Sequence, residues 1–235
     1  MNLYFIGGSK GGVGKSFVSM ALADYLTQYK GRRIKLVESD TSNPDVGKTF
    51  TQNDSVEVLS LSLDVADGWI ELVNSCEKSD RDLIVNSAAR SGEGVEKFGG
   101  TLIGSLDELK MTLCSFWVIN RQRDSLELLR DYMKVVPGEL HVVRNNFYGE
   151  SQKFELFNNS KTKIEAEKRG ATIDFPDLAD RVTDNLYSQR LSIVKALETE
   201  PLGNRAELKR WRNLAWKAFE SIGIGADNNA PEQKG

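Results

Sequence analysis

Cysteine and histidine are scarce in this 235-residue chain: Cys76, Cys114 and His141 are all it has. The two cysteines stand far apart and form no C-x-x-C pair, which argues against a disulfide framework, a zinc ribbon or a cysteine-held cluster. His141 lies in an apolar, strand-like run and reads as a packed or edge histidine, because a metal site needs several ligands. Proline is equally thin, with five residues and no proline-rich linker, and no internal repeat is visible. No stretch approaches the roughly 18–20 apolar residues of a membrane span. The N-terminus lacks a basic lead into a hydrophobic signal core. The expectation is a cytoplasmic protein without integral membrane association. Excess charge is missing too: the formal net charge is −3, so the molecule as a whole is not built to bind a polyanion, though a local basic patch is compatible with it.

What is present is ordinary for a globular domain, with 40% hydrophobic and 28% charged residues, enough for a sizeable core. Short aliphatic runs alternate with longer amphipathic ones. The strand-like runs are Leu3–Ile6, Ile34–Glu38, Leu83–Asn86, Ser115–Ile119, Leu140–Arg144 and Ala171–Phe175. The helix-like segments are Lys15–Tyr29, Val65–Cys76, Asp124–Val135, Lys161–Lys168 and Asp177–Leu197. This alternation predicts an α/β fold, a mostly parallel twisted sheet with helices on both faces, in a single domain over 1–225. The glycine-rich stretch Ser91–Gly104 is expected to be a mobile loop leading into a helix. The polar residues 226–235 read as a disordered tail. Arg205–Ile222 reads as a last helix with Leu208, Trp211, Ala215, Phe219 and Ile222 on one stripe. Such a basic amphipathic helix either closes the core or lies on a membrane surface.

The segment that carries chemistry is Leu3-Tyr-Phe-Ile-Gly-Gly-Ser-Lys-Gly-Gly-Val-Gly-Lys-Ser16. An apolar strand runs into a glycine-rich turn, and a helix begins near Lys15. That is the setting of a phosphate-binding loop, where glycines let backbone N–H groups approach phosphate oxygens and the helix start adds partial positive charge. Lys15 is then placed for the β- and γ-phosphates and the Ser16 hydroxyl for magnesium. Ser9 occupies the first glycine position of the usual pattern, and a further lysine stands at position 10.

The K-G-G-x-G-K-S run resembles the deviant Walker A loop of the ParA/MinD family of ATPases. The resemblance implies that ATP and Mg2+ are the cofactors and that Lys10 reaches phosphate on the other subunit of an ATP-dependent homodimer. Gly11, Gly12, Val13, Gly14, Lys15, Ser16 and Phe17 would form the nucleotide cradle. Val37-Glu38-Ser39-Asp40 resembles the family's D-x-D segment, which implies that Asp40 positions the attacking water and Glu38 stands for the first acid. Asp82-Leu-Ile-Val-Asn86 resembles the Walker B strand, with Asn86 where the family usually has Asp. Ser16, Asp40 and Asn86 are thus the implied metal set, and the neutral amide predicts slow hydrolysis. Asn145, in Val142-Val-Arg-Asn-Asn146, fits the family's adenine-contacting asparagine, and Phe175-Pro176-Asp177 the turn that borders the base. Such proteins serve plasmid partition, stability, division-site placement or conjugative mobilisation. The missing cysteines disfavour cluster carriers, and the chain looks most like the compact partition and mobilisation members, including the MobD-like group. An adaptor or activating protein and non-specific DNA are possible partners, the latter through Lys161, Lys163, Lys168 and Arg169 or the terminal helix. Two other classes stay open: a nucleotide-binding adaptor that does not hydrolyse, and a dethiobiotin-synthetase-like ligase.

Overall fold

The computed structural model describes residues 1–9, 11–50, 53–89 and 91–226. Lys10, and all of the expected tail beyond Ala226, lie outside the described residues. Seven strands, β1 (Asn2–Gly8), β2 (Ile34–Glu38), β3 (Val56–Ser60), β4 (Asp82–Asn86), β5 (Thr112–Ile119), β6 (Glu139–Asn145) and β7 (Thr172–Phe175), form one sheet in the order β3-β2-β4-β1-β5-β6-β7. Every neighbouring pair is parallel. The helices are α1 (Lys15–Asp24), α2 (Asp45–Thr49), α3 (Ala66–Glu77), α4 (Ser91–Phe98), α5 (Gly100–Leu109), α6 (Arg123–Val135), α7 (Glu155–Asn158), α8 (Lys161–Ala166), α9 (Asp180–Ser188), α10 (Ile193–Thr199) and α11 (Leu202–Glu220).

Because alternate side chains of a strand point to opposite faces, the central strands feed two cores. Tyr4 and Ile6 of β1 join Val18, Leu22, Val46, Leu186, Trp211 and Phe219 under α1, α2, α9, α10 and α11. Leu3 and Phe5 join Trp69, Leu102, Leu129 and Phe157 under α3 through α8. A sheet covered on both faces needs apolar residues at successive positions, and β4 and β5 have them. The chain moves from β1 outward to β2 and β3, returns as β4 between β2 and β1, then crosses to β5 on the other side, so the strand order reverses beside β1. In open parallel sheets, ligands bind at the carboxyl ends of the strands at such a point. Among the described residues no helix is long and apolar enough to cross a membrane.

Four expectations differ from the structure. β3 escapes a sequence reading because it is an edge strand of which only Val56 is buried, so its apolar signal is weak. The expected loop over Ser91–Gly104 is instead α4 and the start of α5. One of its glycines serves close approach: a Cβ on Gly94 would strike the backbone carbonyl of Leu63. The expected helix Asp177–Leu197 is broken into α9 and α10 by Arg190, which is left-handed at φ 52°. Ser192 then caps the second piece by accepting from the N–H of Lys195 at 3.1 Å. The helix that starts at Lys15 changes at Tyr25 into a π turn reaching Tyr29. The terminal stripe does close the core, since Leu208, Trp211, Ala215 and Phe219 are each 0% exposed.

Candidate nucleotide site

The carboxyl ends of β1, β2, β4 and β6 carry the residues singled out by sequence. Gly14 precedes α1 with φ 104°, a left-handed conformation that favours glycine. It offers no side-chain cap, and the first turn of α1 has no acidic residue. The first N–H groups of a helix have no partner within it, so the start of α1 presents donors and partial positive charge. Gly12 is likewise left-handed, and a Cβ there would meet nothing within 4 Å. Gly11 and Gly12 are exposed while Val13 is buried, which anchors the loop from below and leaves its backbone open. Lys15 is 6% exposed, and burial pushes its ammonium down to about 8, opposed by the charge of Asp40. A desolvated cation beside uncapped helix donors suits a phosphate chain.

Two braces hold the loop from the end of β6. Asn145 Nδ2 donates to the carbonyl of Val13 at 2.9 Å, and the Tyr148 hydroxyl donates to the carbonyl of Gly12 at 2.7 Å. Asn145 Oδ1 accepts from the N–H of Phe147 at 3.1 Å. The residue expected at the adenine edge is therefore also a strut of the loop. Next to it, Asn146 Oδ1 is buried without a hydrogen-bond partner among the described residues. Tyr148 has no sequence signal, because a tyrosine just past a strand end belongs to no motif. Ser9 is held on its other side by the Ser125 hydroxyl at 2.9 Å. Phe17 points its ring away from the loop into an aromatic cluster, 4.7 Å from Trp211 and 6.2 Å from Phe175 between ring centroids. Trp211 in turn donates to the carbonyl of Pro176 at 2.8 Å, fixing the turn after β7.

At the ends of β2 and β4, Glu38 and Asn86 are register partners and lie on the side of α1. Asn86 Nδ2 donates to Glu38 Oε1 and Oε2 at 2.9 and 3.1 Å, while Asn86 Oδ1 accepts from Ser19 at 2.9 Å. The amide expected beside the metal is thus engaged by its neighbours, whereas Ser16 and Asp40 are half-buried. Burial raises the Glu38 carboxyl above its ordinary value, with the N–H of Asp40, the Asn86 amide and the N–H of Gly47 opposing. Asp40 Oδ1 accepts from the N–H of Asn43 at 3.0 Å, which shapes the turn after β2. A cleft of about 660 Å³ opens beside the loop, lined by Gly8, Ser9, Ala89, Glu93, Trp117 and Tyr132.

Two other groups named from sequence are built into the scaffold. His141 is 3% exposed and lies within reach of Cys114 and Glu139. Its Nδ1 accepts from the N–H of Ala171, which places the ring proton on Nε2, facing Glu139 Oε1 at 3.1 Å. Both ring nitrogens are thereby used, and burial lowers the histidine while raising the Cys114 thiol. Arg169, considered for DNA, donates to the carbonyls of Gly138, Met133 and Val136.

The family described as the CobQ/CobB/MinD/ParA nucleotide binding domain matches residues 4–150. Protein MobD of Acidithiobacillus ferrooxidans is 54% identical over 224 residues, covering 94% of this chain and 97% of that protein. Among solved structures, a candidate plasmid partition protein from Borrelia burgdorferi B31 bound to AMPPNP shares 14% identity with a TM-score of 0.61, covering 94% of this chain and 98% of that one. The septum site-determining protein MinD of Pyrococcus horikoshii OT3, complexed with Mg-ADP, shares 15% with a TM-score of 0.58, covering 95% and 98%. The chain belongs to the CobQ/CobB/MinD/ParA family of nucleotide-binding domains.

Proposed function

We propose that this protein is an ATP-dependent switch ATPase in which Mg-ATP joins two copies and hydrolysis releases them. The carrying observation is the loop between β1 and α1. An uncapped helix start, left-handed Gly12 and Gly14, and buried Lys15 together form a cradle for a phosphate chain. Backbone N–H groups of residues 11–16 and the Lys15 ammonium bind the phosphates. Ser16 and Asp40 hold the magnesium ion, which when bound neutralises phosphate charge. Asp40 also orients the attacking water. Asn145 borders the base while bracing the loop. Lys10 reaches across to the phosphates of the second copy, the role its place in the K-G-G-x-G-K-S run implies.

The setting we infer is plasmid partition, stability or conjugative mobilisation in the cytoplasm. The 54% identity to MobD along nearly the whole chain supports it. An adaptor or activating protein would read the ATP-bound dimer, with non-specific DNA as a further partner. The test is solution mass by light scattering with Mg-ATP, with Mg-ADP and without nucleotide, beside Lys10→Ala. A dimer found only with ATP and lost in the variant is the expected result. A mass indifferent to nucleotide and to Lys10 overturns the switch. Multiple turnovers of phosphate release separate an ATPase from a non-hydrolysing adaptor.

A further inference from the structure

The turn after β2 is fastened to the phosphate-loop helix by a buried chain of hydrogen bonds. Ser19, one turn past Lys15 on α1, donates to Asn86 Oδ1 at 2.9 Å. Asn86 passes the link to both oxygens of Glu38. Glu38 Oε1 accepts from the N–H of Asp40 at 3.1 Å, and Oε2 from the N–H of Gly47 at 3.3 Å. Ser19, Asn86 and Glu38 are 0%, 2% and 1% exposed. A second tie runs alongside: Ser39 donates its N–H to the Asn86 carbonyl at 3.0 Å, and its hydroxyl accepts from the N–H of Ala88 at 2.7 Å.

We propose that Glu38 and Asn86 are a matched pair of positioning residues, in which the amide donor at 86 lets the Glu38 carboxylate hold the backbone of Asp40 and Gly47. An ionised carboxylate only accepts hydrogen bonds, so Glu38 needs a donor from β4, and asparagine supplies one. An aspartate at 86 would set two buried carboxyls about 3 Å apart, where either two like charges repel or one carboxyl has to hold a proton, each at a cost the amide avoids. The amide at 86 is therefore a compensated partner of Glu38, and restoring the family's usual aspartate harms the site. This inference rests on the reading of Asp40 as the residue that orients water.

The experiment compares full-length Asn86→Asp, Glu38→Gln and the double variant. In the double variant the donor and acceptor change places: the amide introduced on β2 donates to the carboxylate introduced on β4, which still accepts from Ser19. Amide hydrogen exchange at Asp40 and Gly47 is read without nucleotide; phosphate release and ADP affinity are read with magnesium. Asn86→Asp is expected to speed exchange at both amides, and to lower kcat, by on the order of tenfold, with ADP affinity within about threefold. The double variant recovers the Asp40 amide and most of kcat. Should Asn86→Asp fail to fold, the double variant folds; failure of both overturns the pairing. Unchanged exchange in Asn86→Asp, or a raised kcat, also overturns it. A parent protein that releases no phosphate refutes the hydrolysis reading alone, and the exchange comparison still decides the pairing.

Discussion

Arg212→Met isolates the contact that ties the last helix to the phosphate-loop helix. Arg212 Nε and Nη2 donate to Asp24 Oδ2 and Oδ1 at 2.7 and 2.8 Å, and Trp216 Nε1 donates to Oδ2 at 2.9 Å. The guanidinium lies 4.2 Å from the Trp216 ring centroid. The side chains are 16% exposed for Arg212 and 2% for Asp24. Removing the arginine leaves a carboxylate in the core with the indole N–H as its remaining side-chain donor in this cluster. Breaking a buried pair from one side costs about 3–5 kcal/mol. At roughly 2–4 °C per kcal/mol for a domain of this size, Tm falls by roughly 6–20 °C. The loss also depends on pH. Burial already raises the Asp24 carboxyl above its ordinary value, with Arg212 and then Trp216 opposing, so loss of Arg212 raises it further. A carboxyl that binds its proton more tightly folded than unfolded stabilises the fold below its unfolded value. That stability is lost as pH rises through the folded value. The deficit of the variant against its parent must therefore be larger at pH 8 than at pH 5. Urea unfolding followed by circular dichroism at both pH values measures it. A deficit below about 1 kcal/mol, or one equal at the two pH values, refutes the reasoning. Adding Asp24→Asn to the variant removes the stranded charge and recovers part of the loss at pH 8.

Three further outcomes follow from the loop. Calorimetric ADP affinity should weaken between pH 7 and 9, because Lys15, pushed down to about 8, loses the proton that attracts phosphate; Lys15→Met should abolish both the tight binding and its pH dependence. Gly14→Ala should cost about 1–3 kcal/mol in urea unfolding, since φ is 104° and the new Cβ meets the Asn145 amide. Tyr148→Phe should weaken ADP binding by up to about tenfold through loss of one hydrogen bond to the Gly12 carbonyl, with Tm nearly unchanged.

The two-core sheet was legible because its central strands are apolar at consecutive positions, a pattern that survives without any tertiary knowledge. The phosphate loop was legible because its glycines, lysine and serine must fall at fixed spacing between a strand and a helix. What stayed hidden depends on partners distant in sequence. Asn86 reads as a weakened metal ligand, because nothing local says that both carboxylate oxygens of Glu38, 48 residues away, accept from its amide. Gly94 reads as looseness, because the Leu63 carbonyl it accommodates belongs to another segment. Arg190 gives no warning of its left-handed backbone, whereas Ser192 does carry a capping signal that a finer reading of Asp177–Leu197 would use. Tyr148 and Ser125 act on the loop through single hydroxyls, which no motif encodes.

The terminal helix had two uses open to it, and energetics separates them. A membrane surface would have to receive the apolar stripe, but Leu208 and Phe219 are each 0% exposed against the sheet. Uncovering those two alone costs about 3–6 kcal/mol at roughly 1.5–3 kcal/mol per side chain. Trp211 adds its own burial and its bond to Pro176. That total approaches the whole stability of a typical domain, about 5–15 kcal/mol, so the helix cannot leave the core while the rest stays folded. Its position also explains the aromatic at residue 17. Phe17, two residues beyond Lys15, rests on Trp211, and the same indole pins the turn after β7. One side chain of the last helix thus supports both the phosphate-loop helix and the turn after β7.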